Sequence, residues 1–310
     1  MYNADNMKPL FEKDSTYSLR GVCMLMIIAS HIPYTMDGTV ASKSLHILLF
    51  DYWGAFGTAL FFLLSGYGMF LSLHKTKDVN TNYVTNKLKK LFMPFLFTWM
   101  VYLVYFLLMD RSKLNQHLLM DFLTISLPYG IDIWFFKVII GLYVAIILLF
   151  KLPISDILRV IVMFIMVLGY YIIMRGLSFE PWWYNSVLCF PLGMLFASRK
   201  ELVKNNSLSI FMIVGCFILS MVTTIGFFPY ITFALCAVWF VRVVNINAIP
   251  GLKFIGINSL LYYLFECPCV SCLEKTFASN DALYYLITLV LTTLLAIVYL
   301  NIKRIAGKLA

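Results

Sequence analysis

Runs of about twenty apolar residues recur from one end of this chain to the other, and a bilayer accommodates them where a water-soluble core cannot. Of 310 residues, 62% are hydrophobic and 13% are charged, against about a quarter charged in soluble domains, and the mean hydropathy is +0.87. The runs predict an all-α, polytopic integral membrane protein of about ten transmembrane helices. They fall near 18–36, 54–73, 91–109, 132–150, 157–174, 183–198, 207–226, 229–246, 254–272 and 282–301. No internal repeat, low-complexity segment or soluble appendage interrupts them. The expectation is a single membrane domain over 1–310, with 1–17 a cytoplasmic segment and 302–310 a cytoplasmic tail.

The polar gaps set the orientation. With ten spans, 18 of the 24 Lys and Arg residues fall on the side of the termini, five fall on the other, and Lys137 stays within a span. Basic residues concentrate on the cytoplasmic side, so both termini are expected there, in the cell membrane. The formal charge of +9 is therefore a topology signal. Its residues form no patch interleaved with aromatic side chains, and no nucleic-acid partner is expected. The first nineteen residues are mixed and polar, with no small-residue cleavage site after the first apolar run, so no cleavable signal peptide is expected.

Seven cysteines show no paired framework. Cys23, Cys189, Cys216 and Cys236 lie in apolar runs, where a free thiol behaves as a small hydrophobe. Cys267, Cys269 and Cys272 cluster without a second pair or a nearby histidine, so packing is expected there and no metal site.

An ionisable group within a span is costly and is kept for a purpose. Arg20, His31, Lys137 and Glu266 stand out. Arg20 and His31 are eleven positions apart, which at 100° per residue is three turns plus about 20°, with about 16 Å of axial rise. Both project from nearly one stripe of the first span, Arg20 at the cytoplasmic edge and His31 deeper. Arg20 alone also fits a positive-inside anchor, and His31 an interhelical hydrogen bond. A desolvated histidine is held neutral, however, and a neutral imidazole is a general base.

The second span, GAFGTALFFLLSGYGMF, is nearly bare on one side at Gly54, Gly57, Ser65, Gly66 and Gly68. That permits close approach of a helix or of an extended ligand. Lys75, Lys77, Lys87, Lys89 and Lys90 follow it. They fit topology and lipid headgroups, or capture of a phosphorylated ligand by point charges. In the fourth span Asp132, Trp134 and Lys137 sit close to the outer boundary, where Lys137 can snorkel outward. Glu266 in LLYYLFECP cannot, and Pro268 two residues later predicts a local break in that helix.

Four segments together resemble the membrane acyltransferase family three, polytopic enzymes that acetylate or succinylate cell-surface sugars. They are LRGVCMLMIIASHIPY with its Arg-x10-His, FFLLSGYGMF, the basic run ending LKKLFMP, and IDIWFFKVIIGLY. A weaker match, FIGINSLLYYLFECP, comes late in the chain. The resemblance implies an acyl-CoA donor entering from the cytoplasm and a sugar hydroxyl as acceptor, on a surface glycan or a lipid-linked sugar. It also implies a catalytic role for His31 and a structural or donor-binding role for Arg20. Many relatives carry a histidine near the end of the LLYYLF segment, where this chain has Phe265 and Glu266.

The expected activity is O-acyl transfer, most simply of acetyl from acetyl-CoA used as a substrate, with no permanently bound cofactor. Its parts are His31 as base, oriented by Glu266 or Asp132, and Arg20, Lys87, Lys89, Lys90, Ser65 and Gly66 toward the donor. Trp134, Lys137, Asp132 or Ser65 would meet the acceptor or the oxyanion. A glycan or lipid transporter or flippase would place the same buried charges in a pathway, though the inverted repeats common in transporters are not visible.

Overall fold

The computed structural model describes residues 13–31, 52–76, 81–109, 117–128, 131–244, 249–277 and 281–309. Among these the chain is helical, with one isolated antiparallel bridge between Leu127 and Ile131. In chain order the helices are α1 (Lys13–His31), α2 (Tyr52–Lys75), α3 (Thr81–Met109), α4 (His117–Leu123), α5 (Trp134–Lys151) and α6 (Asp156–Gly176). There follow α7 (Cys189–Ser198), α8 (Asn206–Val222), α9 (Phe228–Val244), α10 (Pro250–Ile257), α11 (Ser259–Phe277) and α12 (Asp281–Leu309). Five of them, α2, α3, α5, α6 and α12, are long and apolar enough to cross a membrane.

Among the described residues, helices that long and apolar number five, and the other expected runs take different forms. The run 183–198 becomes a single 3-10 turn at Pro181–Trp183 and then the ten-residue α7. Eight of the ten α7 residues are buried. Its hydropathy therefore reflects enclosure by protein on every side, and a helix apolar all round is what such a place selects. The run 254–272 is divided at Asn258 into α10 and α11. The first helix ends at His31, and 32–36 lie outside the described residues. The expected tail 302–310 is helical through Leu309, as a continuation of α12. Pro268 does not break α11, which runs through it, although the residue removes one backbone hydrogen bond.

The chain divides into two compact units. The first holds Met1–Cys23, Ala55–Val79 and Ile139–Ile257, and the second holds Met24–Gly54, Asn80–Val138 and Asn258–Ala310. Within the first, missing side chains let backbones meet. A Cβ on Gly66 of α2 would run into the Phe190 carbonyl of α7, and one on Gly193 of α7 into the Leu63 carbonyl of α2. Gly21 of α1 and Gly256 of α10 stand in the same reciprocal relation, against Leu252 and Tyr17. These are small-residue crossings of the kind that replace the hydrophobic effect where lipid is the solvent.

At the turn between α5 and α6, side chains close both helix ends. Ser155 caps α6 by accepting from the Leu158 N–H. Arg159 donates to the Leu149 and Leu152 carbonyls at 3.2 and 3.0 Å and to Asp156 at 2.6 Å. The freed carbonyls at the end of α5 thus meet a cation, which also complements the helix dipole.

In the second unit α11 packs on α12 and on α3. Hydroxyls join the helices where side chains alone would slide. Tyr284 donates to the Val270 carbonyl at 2.8 Å, and Tyr262 and Thr293 share a hydrogen bond of 2.9 Å. Phe265 stacks near Phe97 and Tyr299, with ring centroids 5.3 and 5.9 Å away. Glu266 is the next residue, so this aromatic contact fixes the azimuth from which its carboxyl leaves α11.

Candidate active site

His31 is the last residue of α1. Two contacts of neighbouring residues hold that end of the helix in the second unit. Ser30 turns its hydroxyl back to the Ile27 carbonyl at 2.7 Å, and Gly54 leaves room for the same hydroxyl, since a Cβ there would strike it. Tyr285 of α12 donates to the Leu25 carbonyl at 3.4 Å. His31 is thereby presented by fixed backbone, and its Nδ1 lies 2.9 Å from Glu266 Oε1.

The two partners differ in exposure, and the difference sets their roles. The Glu266 side chain is wholly enclosed, at 0%, whereas that of His31 is 41% exposed. Opposite an ionised carboxylate, which only accepts hydrogen bonds, Nδ1 is the nitrogen that donates. That tautomer would leave a lone pair on Nε2, the nitrogen that makes no hydrogen bond to the described residues. Glu266 Oε2 is buried and also lacks a hydrogen-bond partner among them. A carboxylate at this depth is costly unless a cation can answer it. The imidazole supplies that answer whenever it is protonated.

Asp132, the other candidate for orienting the imidazole, is engaged elsewhere. Its Oδ1 is 2.7 Å from Lys137 Nζ, and Lys137 also donates to Ser126 Oγ at 3.1 Å. Trp99 Nε1 holds the Ser126 carbonyl at 2.9 Å. Lys137 is thus turned back to the start of its own helix, about one turn before it, the direction in which it is expected to snorkel. Asp132 precedes α5, whose first residue is Trp134. Tyr263 brings the two groups into relation. It is buried one turn ahead of Glu266, with its ring 5.3 Å from that of Phe135, and it hydrogen-bonds the Phe135 backbone.

The residues expected to meet the donor divide between the two units. In the first unit Arg20 Nη2 reaches the Leu64 carbonyl at a long 3.5 Å, and its Nε is buried without a hydrogen-bond partner among the described residues. Gly68, one turn beyond Leu64, leaves the space beside the guanidinium open, with Nη2 3.8 Å from where a Cβ would stand. The guanidinium has five donors, and most of them are uncommitted among the described residues. Ser65 is buried. Gly66 is occupied by the Phe190 carbonyl of α7, so at this position the bare surface serves helix packing and gives no room to a ligand.

In the second unit Lys87 lies over the Tyr83 ring at 5.4 Å. Lys89 and Lys90 face a groove shared with Lys303. Ser126, Tyr263, Tyr285 and Lys303 were not among the residues singled out from the sequence. Serine, tyrosine and a lysine near the end of a chain are too common to signal a role before the helices are assembled. No group of three or more histidine, cysteine or acidic side chains suited to a metal occurs among the described residues.

The sequence matches the family profile described as an acyltransferase domain over residues 18–301. Neither a curated protein nor a solved structure matches it. The profile takes in α1 from Ser18 onward, with Arg20 and His31, and α12 as far as residue 301, and it covers Glu266, Asp132 and Lys137 as well. This chain, with its long apolar helices, belongs to acyltransferase family three.

Proposed function

We propose that the protein transfers an acetyl group from acetyl-CoA, entering from the cytoplasm, to a hydroxyl of a surface polysaccharide or a lipid-linked sugar. The observation that carries this reading is the hydrogen bond between His31 and the enclosed carboxylate of Glu266. His31 Nε2 takes the proton of the sugar hydroxyl as its oxygen attacks the thioester carbonyl. The C–O bond forms, the tetrahedral intermediate collapses, and the C–S bond breaks. The proton on Nε2 then passes to the departing thiolate, giving the acetyl ester and free CoA. Glu266 is a positioning residue: it holds the imidazole in one tautomer and offsets the charge that the ring gains on the way.

Arg20 is assigned the phosphates of the donor, because its half-buried guanidinium has donors to spare among the described residues and a planar fork suited to phosphate. Lys137, Trp134 and Asp132 are assigned to the acceptor. The sequence supports a cytoplasmic donor through its bias of basic residues toward one side.

The experiment is direct. Purified protein in nanodiscs is given acetyl-CoA labelled in the acetyl group and a polysaccharide or lipid-linked sugar fraction from its host. Label is expected in the glycan as an alkali-labile ester, with release of CoA. Movement of the glycan across a sealed bilayer without use of acetyl-CoA would support a transporter instead.

A further inference from the structure

The amino-terminal part of α3 and the carboxy-terminal part of α12 lie side by side in the second unit and enclose a groove of about 600 Å³. That is within the range of roughly 300–1,000 Å³ usual for ligand sites. Lys89 and Lys90 from α3 and Lys303 from α12 line one region of it, and no carboxylate is among its lining residues. These three lysines are paired with no acid among the described residues, whereas Lys137 and Lys253 each have an aspartate.

Away from the lysines the walls turn apolar. Met93, Leu96 and Met100 follow at helical spacing on α3, and all three are exposed. Phe97 and Tyr299 form the floor, their rings 5.2 Å apart. Both helices are long and apolar enough to cross a membrane. A cationic end that continues into an apolar trough along two such helices matches one kind of molecule, with an anionic head and a hydrocarbon tail. A soluble phosphate ester would satisfy the lysines and leave the trough wet. A zwitterionic lipid would fill the trough and bring its own cation to the lysines.

We propose that this groove binds an anionic phospholipid, its phosphate held by Lys89, Lys90 and Lys303 and one acyl chain lying along Met93, Leu96 and Met100. Juxtamembrane lysines attract anionic lipid by about 1 kcal/mol each, which is about fivefold in affinity per residue.

The test is native mass spectrometry of the full-length protein released from detergent with phosphatidylglycerol or phosphatidylcholine added. Wild type should retain phosphatidylglycerol in preference to phosphatidylcholine. K89Q/K90Q/K303Q should lose that preference, with retention falling about fivefold for each lysine removed. L96W keeps every lysine but fills the trough, and should also lose the lipid. Equal retention of the two lipids, or a triple variant that still prefers phosphatidylglycerol, overturns the proposal. Displacement of the lipid from wild type by free acetyl-CoA overturns it too, because the groove would then belong to a soluble phosphate.

Discussion

His31 Nδ1 and Glu266 Oε1 are 2.9 Å apart although 235 positions separate the residues in the chain. The end of α1 and the middle of α11 are therefore set against each other by the fold, and the pair is asymmetric, with its acid enclosed and its base half-exposed. In other acyl-transfer sites a buried carboxylate holds an imidazole in this way.

Glu266→Gln keeps the size of the side chain and removes its charge. The amide can also offer the ring a donor, which allows the wrong tautomer. The expected result is a fall in kcat of roughly 10² to 10⁴ with little change in KM for either substrate. Glu266→Asp, which retains the charge on a shorter arm, should recover part of the rate. Steady-state kinetics on protein that still elutes as one species checks both.

Arg20→Ala should raise the apparent KM for acetyl-CoA at least tenfold and leave KM for the glycan unchanged, since charge-assisted bonds to phosphate are worth about 1.5–3 kcal/mol. Arg20→Lys should fall between, because an ammonium replaces the charge without the fork. An unchanged KM for the donor in Arg20→Ala would make this residue an anchor of α1 and nothing more.

Gly193→Leu places a side chain where the Leu63 carbonyl already stands. Overpacking of this kind costs about 1–3 kcal/mol or more. A lower midpoint of thermal unfolding in detergent is expected, with Gly193→Ala less affected than Gly193→Leu. Gly215, which has open space about it, serves as the control, and Gly215→Ala should leave the midpoint within error.

Lys137 is already bonded to Asp132 and Ser126, so it is a costly donor to redirect toward an oxyanion. Lys137→Met should reduce kcat by less than tenfold. A partly exposed pair of this kind is worth about 1 kcal/mol or less, so thermal stability should change little. Activity assays and unfolding curves on the same preparation check both expectations.

The sequence made the helical class plain, because apolar runs of span length admit few alternatives. It does not settle how many helices reach span length, because hydropathy does not distinguish a side chain buried in protein from one bathed in lipid. The enclosed residues of α7 and the exposed ones of α6 read alike. The nomination of His31 with Glu266 rested on the cost of burying ions, and the structure does place those two side chains in contact. The separate engagement of Asp132 by Lys137 was not legible, because it depends on how the segment before α5 turns. Lys303 was hidden for a similar reason: only the extension of α12 carries it to Lys89 and Lys90. Gly66 fits either a packed helix or an extended ligand, because the bareness of a helix does not say which will use it; the Phe190 carbonyl takes the place.

The most direct measurement is acetyl transfer by His31→Ala in nanodiscs, with labelled acetyl-CoA and the glycan acceptor, beside wild type of equal purity and thermal stability. The account predicts that label in the glycan falls by at least a hundredfold, while the variant still binds acetyl-CoA. Transfer at the wild-type rate would contradict it.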